Sequence, residues 1–193
     1  MPNVDYPQTL LCHPATPAPV VRTVEAQVSF RPDGGIIFSY RLWGDMARLL
    51  VPQVQIPAQK DLLWEHTCFE AFIRVRGNTA YREFNFSPSG QWAAYAFSYY
   101  RQRNETVTFP EAPQISARLF AGRLELDAFV SPLSLPPQMN STHLQIALSA
   151  VIEAVDTVDG QHSYWALHHP APRPDFHHRE TFALELADPR HSV

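Results

Sequence analysis

The sequence predicts an all-β chain, a single-domain antiparallel β-sandwich of jelly-roll-like form with about ten strands. Three observations carry this. Apolar residues recur with period two more often than with the 3.6-residue period of a helix. Proline, at 18 of 193 residues, separates short apolar runs at intervals too brief for a helical bundle. Charged residues make up 18% against 45% hydrophobic and 12% aromatic, which suits half-buried strands better than long solvated helices.

The elements follow in order. Residues 1–19 are proline-rich from Pro2 to Pro19 and form an extended strap ahead of the domain at 20–187, with a short tail at 188–193. Val24, Ala26, Val28 and Phe30 alternate, and Pro32-Asp33-Gly34-Gly35 turns the chain into a hairpin partner at 36–42. Residues 66–76 alternate clearly, with Phe69, Ala71, Ile73 and Val75 on one face and His66, Cys68, Glu70, Phe72, Arg74 and Arg76 on the other. Strands at 81–86 and 91–100 flank the turn Ser87-Pro88-Ser89-Gly90, and strands at 115–120 and 123–130 flank Ala121-Gly122. A helical turn fits Leu133 to Met139. Residues 144–155 are nearly continuously apolar, as in a strand buried on both faces. The turn Asp159-Gly160 leads to strands at 163–167 and 182–186.

Composition also excludes functions. A net charge of −4 argues against nucleic acid or an anionic membrane as partner. No run approaches the ~18–20 apolar residues of a membrane-spanning helix, and the first residues lack the pattern of a secretion signal, so the expected location is cytoplasmic. Cys12 and Cys68 are expected as free thiols, Cys68 buried. With seven glycines there is no phosphate-cradling loop, and no nucleophile elbow is present. Neither catalysis nor a cofactor is predicted.

The segment Leu63-Trp64-Glu65-His66-Thr67-Cys68-Phe69-Glu70-Ala71-Phe72-Ile73 resembles the signature strand of the DOMON-like superfamily, which includes the family 9 carbohydrate-binding modules. Trp64 and Glu70 match its Trp and Glu six residues apart. Residues 81–90, ending in Asn85-x-x-Pro88-x-Gly90, resemble the strand and turn that follow. The stretch from Ser163-Tyr164-Trp165 through Asp175-Phe176-His177-His178 to 182–186 is similar to an uncharacterised bacterial DOMON-like subgroup. The resemblance spans about residues 20–187. It implies a β-sandwich that binds a small ligand, either a sugar or, in some members, haem. The chain departs from the family 9 pattern at Glu65-His66-Thr67-Cys68, where those modules often carry acidic residues.

A sugar needs an aromatic platform for its C–H face and polar groups for its hydroxyls. Trp64, His66 and Glu70 share one strand face by parity, and the resemblance makes Trp64 the first platform. Trp165 is either the second platform or a core residue, since it shares parity with Leu167. The expected function is therefore non-catalytic binding of a sugar or other hydroxyl-rich metabolite by Trp64, Trp165, Glu70, His66 and Tyr81. The alternatives are a homodimeric interaction scaffold that uses the same aromatics, or a haem- or metal-binding domain. Any metal would fall to His168, Asp175 and His177, although the histidines between His162 and His178 are more simply surface or loop-packing residues. Met46 and Met139 are formally available as haem ligands. A glycosidase pair of Glu70 and Glu83 is the enzymatic alternative. The simpler expectation for these carboxylates is a solvated sheet face, paired with Arg74, Arg76 or Arg82.

Overall fold

Period-two alternation becomes twelve strands in the computed structural model, which describes residues 6–137, 143–155 and 161–187. In chain order they are β1 (Gln8–Cys12), β2 (Val21–Phe30), β3 (Ile36–Gly44), β4 (Cys68–Val75), β5 (Tyr81–Phe86), β6 (Trp92–Tyr99), β7 (Gln102–Arg103), β8 (Gln114–Phe120), β9 (Arg123–Val130), β10 (His143–Ala154), β11 (Gln161–Ala166) and β12 (Leu184–Ala187). Every strand pairing is antiparallel. One sheet runs β1-β2-β3-β9-β8 and the other β7-β6-β5-β4-β10-β11. The long β10 gives one edge to β4 and divides the other between β12 and β11.

The sheets pack through their inner faces. Phe38, Tyr40 and Leu126 on one side meet Phe69, Ile73, Phe84 and Leu148 on the other, all withdrawn from water. Burial at about 25 cal/mol per Å² makes this the main source of stability. Tyr40 is the polar exception, and its hydroxyl donates to the Glu70 carbonyl oxygen at 2.7 Å, tying the two sheets together. The outer face of the second sheet is also covered. Cys68, Phe72, Tyr81, Tyr95, Phe97 and Val151 form a second cluster there, beneath a proline-rich segment that docks Phe176 and Phe182. This explains the apolar run at 144–155: residues 147–152 of β10 are buried on both faces.

The structure adds to the expected elements at the strap. Gln8–Leu10 pair with β2 while Leu11 and Cys12 pair with β11, so β1 is a seam between the sheets and belongs to the sandwich. The turn expected from Leu133 is a 3-10 turn at Pro132–Ser134, where Ser131 caps the Leu133 N–H. Met139, Asp159-Gly160 and the tail at 188–193 lie outside the described residues. Cys12 and Cys68 are free thiols, Cys68 buried. Among the described residues no helix is long and apolar enough to cross a membrane.

Candidate functional site

Strand register places a polar row across the outer face of the second sheet. Glu70 on β4 lies directly opposite Asn85 on β5 and Ser149 on β10. Cross-strand partners point to the same side of a sheet, so the three side chains stand in line. All three are buried, yet no donor among the described residues reaches the Glu70 carboxyl. Asn85 Oδ1 and Ser149 Oγ are also without partners. Burial, then the neighbouring Glu83, pushes the Glu70 carboxyl well above the usual carboxylate range.

Above this row lies a cavity of about 300 Å³, lined by Trp64, Glu70, Glu83, Phe97, Arg101, Arg103, Val151, Tyr164, Pro174, Phe176 and His177. Glu83, on the next row of β5, accepts from Asn85 Nδ2 at 2.9 Å. Burial raises its pKa to about 7, against the lowering effects of the Asn85 bond, Arg103 and Arg101. Its second oxygen lies 3.6 Å from His177 Nε2.

His177 is held neutral. Burial and then the Arg101 charge lower its pKa to about 4. The Arg101 N–H donates to Tyr81 Oη at 3.1 Å, and Tyr81 Oη lies 2.8 Å from His177 Nδ1. In the tautomer that accepts the Tyr81 proton at Nδ1, the imidazole carries its own proton on Nε2, facing Glu83. Tyr81 itself is pushed up to about 12, chiefly by burial.

Loops supply the walls. Trp64 sits on a 3-10 turn, Leu63–Glu65, and meets Tyr95 edge-on at 6.0 Å. Tyr164 on β11 leans on Phe176 at 5.9 Å. The Arg103 guanidinium lies 4.1 Å over the Tyr95 ring, and Arg101 is clamped to Asp175 at 2.9 Å. Arg101 and Leu62, which precedes the Trp64 turn, are the two non-glycine residues with positive φ among those described, at 54° and 63°. Left-handed backbone at such residues costs energy and tends to gather at functional sites.

Of the sequence-predicted residues, Trp64 and Glu70 line the cavity and Tyr81 braces its wall through His177. Trp165 does not reach it. It opposes Ala150 on the inner face, packs in the sandwich core and donates from Nε1 to Ser163 Oγ at 2.9 Å. The outward aromatic of β11 is its neighbour Tyr164. His66 also stands apart, exposed and 3.0 Å from Glu153 Oε2, because the chain leaves strand geometry before Cys68. Glu83 is buried against Asn85 and His177, not solvated beside an arginine. His168, Asp175 and His177 do not converge, since Asp175 serves Tyr100 and Arg101 while His177 faces Tyr81. Among the described residues no three His, Cys, Asp or Glu side chains are placed to hold a metal. Sequence reasoning missed Arg101, Arg103, Tyr164 and Phe176. Parity could have exposed Tyr164, but nothing marked the two arginines, which reach the cavity from the turn after β6 and from the two-residue β7.

Fold and cavity together define an antiparallel β-sandwich with a polar, aromatic-walled cavity on the outer face of one sheet. No family model matches the chain, and no curated protein matches its sequence. Two solved structures are similar. One is a protein from Bacteroides uniformis for which carbohydrate binding has been suggested, with 14% identity, 94% of this chain and 84% of that chain covered, and a TM-score of 0.59. The other is a family 9 carbohydrate-binding module from Caldicellulosiruptor kristjanssonii in complex with glucose, with 7% identity, 75% and 66% covered, and a TM-score of 0.47. The first likeness extends over nearly the whole chain and is one of fold.

Proposed function

We propose that the protein is a non-catalytic binder of a small hydroxyl-rich ligand, a sugar, held in the Glu70 cavity. The observation that carries this is the row Asn85–Glu70–Ser149, in which Asn85 Oδ1 and Ser149 Oγ are buried without partners, beneath a cavity with aromatic walls. Buried polar groups without partners cost about 1–3 kcal/mol each, and a ligand dense in hydroxyls would satisfy several at once. Trp64 and Tyr164 offer ring faces to sugar C–H groups, while Glu83, Arg101 and Arg103 add acceptors and donors around the rim. A volume of about 300 Å³ stands at the small end of ligand pockets and suits a single sugar unit. The Bacteroides uniformis protein of the same fold, with its suggested carbohydrate binding, favours the same reading.

The test is calorimetric titration with a panel of neutral monosaccharides. At least one is expected to bind saturably. Trp64→Ala and Glu70→Gln should each weaken it about tenfold or more, the equivalent of ~1.4 kcal/mol, with folding retained. Binding that both variants leave unchanged, or silence across the panel, would overturn the assignment.

A further inference from the structure

A second cavity of about 390 Å³ lies on the other side of His177 and Tyr81, where Arg74, Arg179, Phe182, Asn78, Tyr99 and Tyr100 border it. Its chemistry differs from that of the first. The Arg74 guanidinium lies 4.3 Å over the Phe182 ring. Arg74 Nε donates to Gln145 Oε1 at 2.8 Å, and its Nη2 donates to the Arg179 carbonyl oxygen at 3.4 Å. These contacts fix the plane of the guanidinium and supply no negative charge. Among the described residues neither Arg74 nor Arg179 has a carboxylate within ion-pair distance. Asp175 is engaged with Arg101 and Glu185 with Arg76, and Glu180, which follows Arg179 on the 3-10 turn Arg179–Thr181, is exposed and forms no ion pair with either arginine among the described residues. Burial, and after it the Arg179 charge, lowers the Arg74 pKa.

The rim presents rings and hydrogen-bonding groups together. Tyr99 is 60% exposed and Tyr100 48%. The Asn78 carbonyl oxygen accepts from the Ala80 N–H, which leaves its amide N–H groups for a ligand. A guanidinium held over an aromatic ring is suited to recognition of a carboxylate or phosphate through its remaining N–H groups. An exposed tyrosine beside it suits the face of a saccharide ring better than a wholly apolar molecule, because the neighbouring groups are polar.

We propose that this second cavity binds an acidic saccharide, with its carboxylate, sulfate or phosphate held by Arg74 and Arg179 and its ring against Tyr99. The two cavities share the His177 wall, but Arg74, Arg179 and Tyr99 line only the second, so either assignment can fail alone.

The experiment is calorimetry on the full chain at low and at physiological salt with glucuronate, glucose 6-phosphate, glucose and inorganic phosphate. Wild type is compared with Arg179→Gln, Tyr99→Ala and Trp64→Ala. Arg179 and Tyr99 are exposed, so their variants are expected to fold. At least one of the two acidic sugars should bind more tightly than glucose, and salt should weaken it. Arg179→Gln should reduce its affinity about tenfold, Tyr99→Ala should reduce it as well, and Trp64→Ala should leave it unchanged. Absence of acidic-sugar binding, or affinities indifferent to Arg179→Gln, would overturn the proposal. Inorganic phosphate binding as tightly as glucose 6-phosphate would overturn the saccharide assignment. Acidic-sugar binding lost only in Trp64→Ala would overturn it too, by placing the ligand in the first cavity.

Discussion

On β4, Phe69, Ala71 and Ile73 face the sandwich core, whereas Cys68, Glu70 and Phe72 face the loops that cover the outer surface. Both sets are withdrawn from water. The inner set meets only apolar neighbours and a single satisfied hydroxyl, that of Tyr40. The outer set includes a carboxyl whose cross-strand neighbours are also unsatisfied. Equal burial therefore marks two different roles. One face lowers the free energy of the fold, and the other carries groups that raise it.

Substitution on the two faces should separate these roles most widely. Phe69→Ala is expected to cost about 3–5 kcal/mol in urea unfolding, as buried aromatic truncations do. Glu70→Gln, one residue along, is expected to leave stability equal or raised. Burial holds the folded-state pKa of Glu70 above its unfolded value, so its contribution is complete below the unfolded pKa and is lost as pH rises. The gain from Glu70→Gln should therefore grow with pH. A loss comparable to that of Phe69→Ala would show that Glu70 is structural.

The outer face should also respond to pH through two groups of opposite sign. Burial lifts the folded pKa of Glu83 to about 7, above the ordinary glutamate value of 4.5, so it withdraws stability as pH rises through that interval. Burial lowers the folded pKa of His177 to about 4, below the ordinary histidine value of 6.5, so it adds stability as pH rises from about 4 to 6.5. Unfolding curves between pH 4.5 and 6.5 should climb more steeply with pH than wild type in Glu83→Gln and fall more steeply in His177→Asn. The limit is about 1.4 kcal/mol per pH unit for each group. Parallel curves for the two variants would remove the opposition.

The smallest effect is expected in the backbone. Leu62 is half exposed at φ 63°, and Leu62→Gly should relieve that strain for a stability gain below about 1 kcal/mol. A loss in the melting curve would show that the Leu62 side chain matters more than its backbone.

Much of this comparison was legible in the sequence, for a definite reason. Alternation put Phe69, Ala71 and Ile73 on one side of β4 and Glu70 on the other, and the paired apolar runs gave the hairpins on either side. Parity assigns residues to two faces but does not say which face is inward. Trp165 and Tyr164 were therefore interchangeable until pairing with Ala150 placed Trp165 in the core. Parity is also silent on what covers a sheet. Glu83 looked solvated because nothing in the local sequence shows Phe176 and His177 folding over it from nearly a hundred residues away. The strap hid β1 because prolines dominate its composition, while the pairing strand is the short stretch Gln8–Cys12 between them.

That seam strand bears on how the chain reaches its fold. Leu11 pairs with Ala166 and Cys12 with Trp165, contacts that span most of the described sequence. The hairpin of β2 and β3 closes across a few residues, whereas closing the seam brings together residues about 150 positions apart, at a larger loop-closure cost. Chains dominated by such distant pairings fold on the millisecond-to-second scale rather than in microseconds. While the seam is open, the edges of β2 and β11 that β1 later covers remain unpaired. The step that joins the two sheets is thus also the one that covers the edges of β2 and β11 as templates for association with other copies.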